Sequence, residues 1–207
     1  NTYDAEFGHT IKDNRLIFSA LKADSSNNAE EVYDPAYRTK LYYSDRNDLG
    51  EFQKSEINTD LFHSNLNYGN GSFSLDGTKY YFSVCEDDDF KYACKIVLAQ
   101  KNDSIWVVTD TLGIQINEKG ANTTMPFYTR IDEKEVLLFS SNRKGGNGGM
   151  DLWYAESIDG LSFKEALNIG VLNSVENEVT PFYDTTRNRL FFSSTWHDGF
   201  GGHDVHF

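Results

Sequence analysis

Hydrophobic residues in this chain come in short consecutive runs, not at the three-to-four spacing of a helix face. Four runs stand out, and each ends in serine: Leu16-Ile17-Phe18-Ser19, Tyr80-Tyr81-Phe82-Ser83, Leu137-Leu138-Phe139-Ser140 and Leu190-Phe191-Phe192-Ser193. Consecutive apolar positions are the pattern of a strand covered on both faces. Each run follows a weaker strand pattern and a short polar turn, at Lys12-Asp13-Asn14, Asp76-Gly77-Thr78, Asp132-Glu133-Lys134 and Thr185-Thr186-Arg187. After each run comes a third apolar triplet, starting at Leu41, Ile96, Leu152 and Val205. A fourth element closes the first three units, at 50–53, 104–108 and 161–164, followed by Asn58, Asn117 and Asn173. Four strands recurring at a period of about 56 residues predict the blades of a β-propeller.

The fold class is therefore all-β, a propeller of four-stranded antiparallel blades. The blades are 1–58, 59–117, 118–173 and a partial fourth, 174–207. Propellers close with about four to eight blades, so either a strand from elsewhere completes the fourth blade or, the favoured reading, this is part of a larger propeller. No helix longer than two turns is expected. The 20–33 stretch holds some helix formers, but Ser25-Ser26-Asn27-Asn28 break it into loop.

Composition agrees with this reading. Phe (15) and Tyr (12) dominate the apolar residues, Gly (16) punctuates them, and Pro (3) is scarce. The net charge of −13 argues against a nucleic-acid partner, whose phosphates demand Lys and Arg. No apolar run approaches the roughly 18 residues of a membrane span.

The turns between first and second strands are minimal, whereas second-to-third and fourth-to-first loops are long. Both long classes fall on one face of the disc, where binding residues concentrate. On that face Trp196, Phe200, His203 and Arg143 are candidate binding residues. Gly148-Gly149-x-Asp151 and Gly201-Gly202-x-Asp204 suit either anion nests or structural loops, and recurrence at one blade position favours structure. His203 and His206 stand three apart and would point to opposite faces of a strand, so no metal pair is expected there. The acidic run Glu86 to Asp89 lacks the spacing of a calcium loop. No cofactor is expected. Cys85 and Cys94, the only cysteines, end one strand and begin its partner. They read as a disulfide in an oxidising compartment, the alternative being two free thiols.

The Pro-Phe, Leu-x-Phe-Ser-Ser and Gly-Gly-x-Asp segments resemble TolB-like, WD40-like propeller repeats. They are closest to the propeller of periplasmic OmpA-family proteins of Gram-negative bacteria. Ser72-Phe73-Ser74-Leu75-Asp76-Gly77-Thr78-Lys79 matches that family's turn, and the Cys85/Cys94 blade resembles a Cys-paired blade in it. The resemblance extends to PorE-type members associated with type IX secretion and gliding. It implies a periplasmic, outer-membrane or peptidoglycan-associated location and protein partners in the envelope. Peptidoglycan would be reached through domains outside this chain.

These readings combine into a non-catalytic binding and scaffolding module. The rival is a propeller glycosidase or lyase acting on a polysaccharide. Such an enzyme needs paired carboxylates about 5–10 Å apart, for which Glu176, Glu178 and Asp60 are the candidates.

Overall fold

A computed structural model describes residues 5–23, 37–61, 66–88, 91–103 and 105–207. Ser25 to Asn28, the side chain of Asp60 and the acidic side chains 87–89 lie outside the described set. The chain forms four antiparallel sheets. The first contains β1 (Ala5–Lys12), β2 (Arg15–Ala23), β3 (Tyr37–Asp45) and β4 (Glu56–Ile57). In the second are β5 (Asn67–Phe73), β6 (Lys79–Asp88), β7 (Lys91–Asn102) and β8 (Ile105–Thr111). The third holds β9 (Thr123–Ile131), β10 (Lys134–Ser141), β11 (Asp151–Glu156) and β12 (Leu167–Asn168). A three-stranded fourth comprises β13 (Glu178–Asp184), β14 (Arg189–Ser194) and β15 (Asp204–His206). Among the described residues the only helix is a single 3-10 turn, Thr59–Leu61. This is a four-bladed propeller arc whose last blade has three strands among the described residues.

Two expectations of detail need correcting. The 50–53 and 161–164 stretches are not the fourth strands. Each makes one isolated bridge, Arg46 with Phe52 and Ser157 with Phe163, as the chain loops back beyond the third strand. The paired fourth strands come later, at β4 and β12. The second-to-third loops are also shorter than expected, because β2 runs to Ala23 and β6 to Asp88.

Blades stack through their middle strands. Ile17 and Leu41 of blade one pack with Tyr80, Phe82 and Val97 of blade two. Tyr81, on the opposite face of β6, lies flat against Tyr128 of β9 with ring centroids 4.9 Å apart. Leu137, Phe139 and Trp153 complete that second core. Consecutive apolar residues on β6 and β10 thus serve two different interfaces. That is why the run does not alternate with polar residues.

The first strands form the inner ring: β1 packs on β5, β5 on β9 and β9 on β13. All four pairings to the second strand slip register at the same level, between Phe7 and Thr10, Gly69 and Gly71, Leu138 and Ser140, and Val179 and Phe182. These are β-bulges. Gly8, Met125 and Thr180 sit in them at φ 62°, 56° and 54°. The repeated serine has a role here: Ser83 Oγ accepts the Met125 amide at 2.8 Å, clamping the bulge of the next blade.

The arc is open at both ends. On blade four, Val205 and Phe207 are largely exposed, and Phe207 packs at a tilt against Phe191 under the Arg189 guanidinium. On blade one, Phe18 stacks on Tyr42 on the face away from blade two. Each is the face that, elsewhere in the arc, meets a neighbouring blade.

Candidate functional site

Two families of side chains build the long-loop face. Asn67 Oδ1 accepts the Thr39 amide, Asn122 Oδ1 the Cys94 amide and Asn177 Oδ1 the Met150 amide, each at 2.9 Å. Each bond ties the start of an inner strand to the third strand of the preceding blade. Asn117 and Asn173 act on the outside instead. Asn117 Oδ1 accepts the Ile96 amide while its Nδ2 donates to the carbonyls of Ile96 and Leu112. Asn173 does the same for Leu152. Both carry third-strand backbone groups where the fourth strand has stopped. The periodicity of Asn58, Asn117 and Asn173 is visible in the sequence. The 55-residue recurrence of Asn67, Asn122 and Asn177 was the missed signal.

The glycine loops are built by contact. A Cβ on Gly148 would fall 2.3 Å from the Val175 carbonyl carbon, and one on Gly149 2.4 Å from Asn177 Oδ1. Asp151 Oδ2 accepts the Asn147 amide at 2.8 Å. Asp204 Oδ2 likewise accepts the Phe200 and Gly201 amides at 2.7 and 3.2 Å, and Gly201 and Gly202 hold positive φ. Burial raises the Asp151 pKa, and the nearby charge of Glu178 adds to the rise.

The predicted binding residues do not converge. Trp196 and Phe200 are exposed in the blade-four loop, and His203 is exposed beside Asp204. Arg143 is buried. Its guanidinium donates to the carbonyls of Gln115 and Ile116 and lies over the Phe139 and Trp153 rings, so it staples the 113–117 loop to blade three. His206 stands beside His197, with ring centroids 5.2 Å apart, rather than beside His203.

Of the candidate carboxylates, Glu176 is exposed. Glu178 is fully buried: its carboxylate accepts from Ser174 Oγ at 2.6 Å, Ser194 Oγ at 2.8 Å and the Ser174 amide at 2.7 Å. Glu178 therefore ties β13 to β14 and is not free to meet a substrate.

Two of the cavities bear on the question of a site. On the tight-turn face, about 460 Å³ opens between blades two and three, beside Asp76, Glu135, Glu156 and Asp159. Ser74 and the Thr78 amide hold Asp76 down at about 2. Tyr128 and Arg130 lower Glu135, Lys164 and Lys134 lower Glu156, and backbone amides lower Asp159. Burial and Glu135 push Tyr128 up to about 12. These acids are held ionised and this phenol protonated, which is the wrong arrangement for general acid–base work near neutrality.

The second cavity, about 160 Å³, opens at the long-loop end among blades one, two and three. Inner-strand residues Phe7, Tyr68 and Met125 line it, together with Thr124, Cys85 and Cys94. The two cysteines are disulfide-bonded, and they are cross-strand partners on β6 and β7.

No family model and no curated protein matches this chain. Solved structures do share its fold. The family 117 glycoside hydrolase Zg3597 from Zobellia galactanivorans is similar at TM-score 0.56 and 13% identity, over 94% of this chain and 63% of its own. The β-1,2-mannobiose phosphorylase of Listeria innocua gives 0.53 and 12%, over 90% and 69%. The RS223 β-xylosidase gives 0.53 and 13%, over 93% and 71%. This chain thus spans about two thirds of the length of such structures. At these identities the likeness shows the fold.

The comparisons overturn the assignment to TolB-like or OmpA-family, PorE-type proteins, and with it the non-catalytic scaffold. The fold neighbours are glycoside hydrolases and phosphorylases. The physical reason is visible in the blades. Ser83 clamps a bulge, Asp151 caps a glycine loop and the apolar run fills two interfaces. The repeated residues that suggested a family are those that build a blade.

Proposed function

We propose that this chain is the larger part of a propeller enzyme that cleaves glycosidic bonds, by hydrolysis or by transfer to phosphate. The supporting observation is the likeness, over about nine-tenths of the chain, to several propellers whose chemistry is glycan cleavage. The axial end of the inner strands on the long-loop face is the proposed site. Bulges there re-aim inner-strand side chains, as they commonly do beside active sites.

Glycoside cleavage takes two carboxylates. On the long-loop half of the described inner strands stand Glu6 of β1, exposed, and Glu178 of β13, sealed by its two serines. Glu6 is the proposed acid or base of this arc. Its partner would come from strands that fill the gap between blade four and blade one. The disulfide supports action in an oxidising compartment outside the cytoplasm.

The test is cleavage of a panel of neutral, acidic and acetylated oligosaccharides, with and without phosphate, by the longest natural form of the protein. Reducing ends report hydrolysis, and a sugar phosphate reports phosphorolysis. Glu6→Gln should reduce the rate at least about 100-fold, as loss of a general acid or base does. No cleavage anywhere in the panel overturns the reading. Cleavage indifferent to Glu6→Gln overturns the role of Glu6.

A further inference from the structure

We infer that the groove between blades one and two on the tight-turn face is a second glycan site. It takes a sugar unit carrying an anionic substituent: the charge meets Lys12 and Lys101, and the ring lies against Trp106. This rests on the reading of the chain as glycan-acting and names the class of glycan it holds.

The groove has a local cause. Between blades two and three, the 157–163 loop folds back into the interface. Phe163 packs edge-on against Tyr81, and the Gly160 carbonyl accepts from the Tyr81 hydroxyl at 2.7 Å. Blade two makes the same connection more briefly, joining β7 to β8 across residues 103–104 alone. Trp106 then stands where Phe163 stands in blade three, and Ile17 stands in β2 where Tyr81 stands in β6. The shorter side chain and the shorter connection leave a space of about 390 Å³. Ligand pockets run from about 300 to 1,000 Å³.

The charged groups around the groove fall into two sets. Arg15 and Asp45 satisfy each other through hydrogen bonds of 2.7 and 2.8 Å, and the Arg15 guanidinium covers the Tyr43 ring at 4.2 Å. The Tyr43 hydroxyl donates to Glu56 at 2.7 Å. That wall is paired within itself. Lys12 and Lys101 differ: among the described residues neither makes an ion pair. Both flank the Asp76-Gly77-Thr78 turn of blade two. A Cβ on Gly77 would fall 2.5 Å from Lys12 Cε, and the Lys101 amide donates to the Thr78 carbonyl. Asp76 of that turn lines the cavity toward blade three instead. Among the described residues Asp13, exposed at the tip of its turn, is the one unpaired acid lining the groove. Two unpaired ammonium groups against one carboxylate favour an anion, in a protein whose net charge is −13.

The rest of the lining suits a sugar. Trp106, half-buried with its ring 5.6 Å from that of Phe73, offers aromatic surface to the apolar face of a pyranose. Asn58 and Thr59 bring an amide and a hydroxyl within the same groove. A bare inorganic anion leaves the aromatic wall unused, and a neutral sugar leaves the lysines unused.

Two substituents carry this chemistry, the carboxylate of a uronic acid and a sulfate ester. Calorimetric titration of the whole chain at low salt separates them. One arm compares oligogalacturonates with their methyl esters, and the other compares sulfated with desulfated galactan oligosaccharides. Each pair shares a backbone and differs in charge. The anionic member of one pair should bind at least tenfold more tightly, and salt should shrink that ratio. Lys12→Gln with Lys101→Gln should bring the ratio close to one. Lys54→Gln with Lys119→Gln removes two charges from exposed lysines outside the groove and should leave the ratio unchanged. In Trp196→Phe, binding should still shift the tryptophan emission, because Trp106 lines the groove and Trp153 is buried. The melting temperature of each variant checks the fold.

Equal affinity within both pairs overturns the anionic site and leaves glycan cleavage, tested separately, standing. A charge preference that survives loss of Lys12 and Lys101 places the anion elsewhere and also overturns it. So does an equal loss with Lys54 and Lys119, which would make net charge the cause. Unchanged emission in Trp196→Phe, or binding lost in Glu6→Gln, would move the ligand away from this groove. If none of these glycans binds, the site falls; if the cleavage panel is also silent, the functional reading falls with it.

Discussion

Asn122 Oδ1 accepts the backbone amide of Cys94 at 2.9 Å, across the boundary between blades two and three. Asn67 and Asn177 repeat that bond at the neighbouring boundaries. Each side chain satisfies an amide at the start of the preceding blade's third strand. Asn122→Ala should therefore destabilise by about 1–3 kcal/mol, the cost of stranding a buried amide. At this chain length that is about 2–4 °C in Tm for each kcal/mol. Asn122→Asp keeps the acceptor and should cost less. Equal losses for the two variants would show that the bond is not what matters.

Tyr81 of blade two meets blade three twice. Its ring lies on Tyr128, and its hydroxyl donates to the Gly160 carbonyl at 2.7 Å. Tyr81→Phe removes only the hydrogen bond and should cost about 1–2 kcal/mol. Tyr81→Ala also opens a cavity and should cost about 3–5 kcal/mol. Urea denaturation measures both. A Tyr81→Ala loss no larger than that of Tyr81→Phe would contradict the packing described for blades two and three.

The disulfide closes the hairpin of β6 and β7 across a sequence separation of nine residues. Replacing Cys85 and Cys94 together by Ala should cost about 2.5–3 kcal/mol. Alkylation of unreduced protein should label no cysteine, read by intact mass. Two labelled cysteines in protein from an oxidising compartment would remove the bond, and with it the argument for export.

Acid should weaken the fold partly through Asp76, held at about 2 by Ser74 Oγ and the Thr78 amide. A carboxylate whose folded pKa lies below its unfolded value of about 4 stabilises the fold above that value. The contribution disappears as pH falls toward about 2. Asp151 acts with the opposite sign: burial raises its pKa, so its share is present at low pH and lost as pH rises. Asp76→Asn should lower the urea midpoint at neutral pH, with the difference from wild type vanishing near pH 2. A difference constant with pH would rule out the linkage.

Trp196 and Phe200 are exposed in the blade-four loop, so replacing both by Ala should shift stability by no more than about 0.5 kcal/mol each. If they stack on sugar, as large aromatics do at binding sites, glycan affinity should fall while Tm holds. A Tm loss above about 8 °C would place them in the core instead.

The sequence by itself determined the blades. A strand covered on both faces must be apolar at every position, and that run, repeated with its serine and turn, marks each middle strand. Cys85 and Cys94 could be paired in advance because two strands joined by a short loop have few registers. The tertiary structure decided what local pattern cannot carry. Arg143, polar and loop-borne, reads as a surface binder. It is buried because the carbonyls of Gln115 and Ile116, a blade away, accept its hydrogen bonds. Glu178 reads as a free carboxylate until Ser174 and Ser194 close on it. The groove beside Lys12 and Lys101 exists only where blades one and two meet. A pocket made by residues from separate blades leaves no period in the sequence, whereas a blade, being local, must.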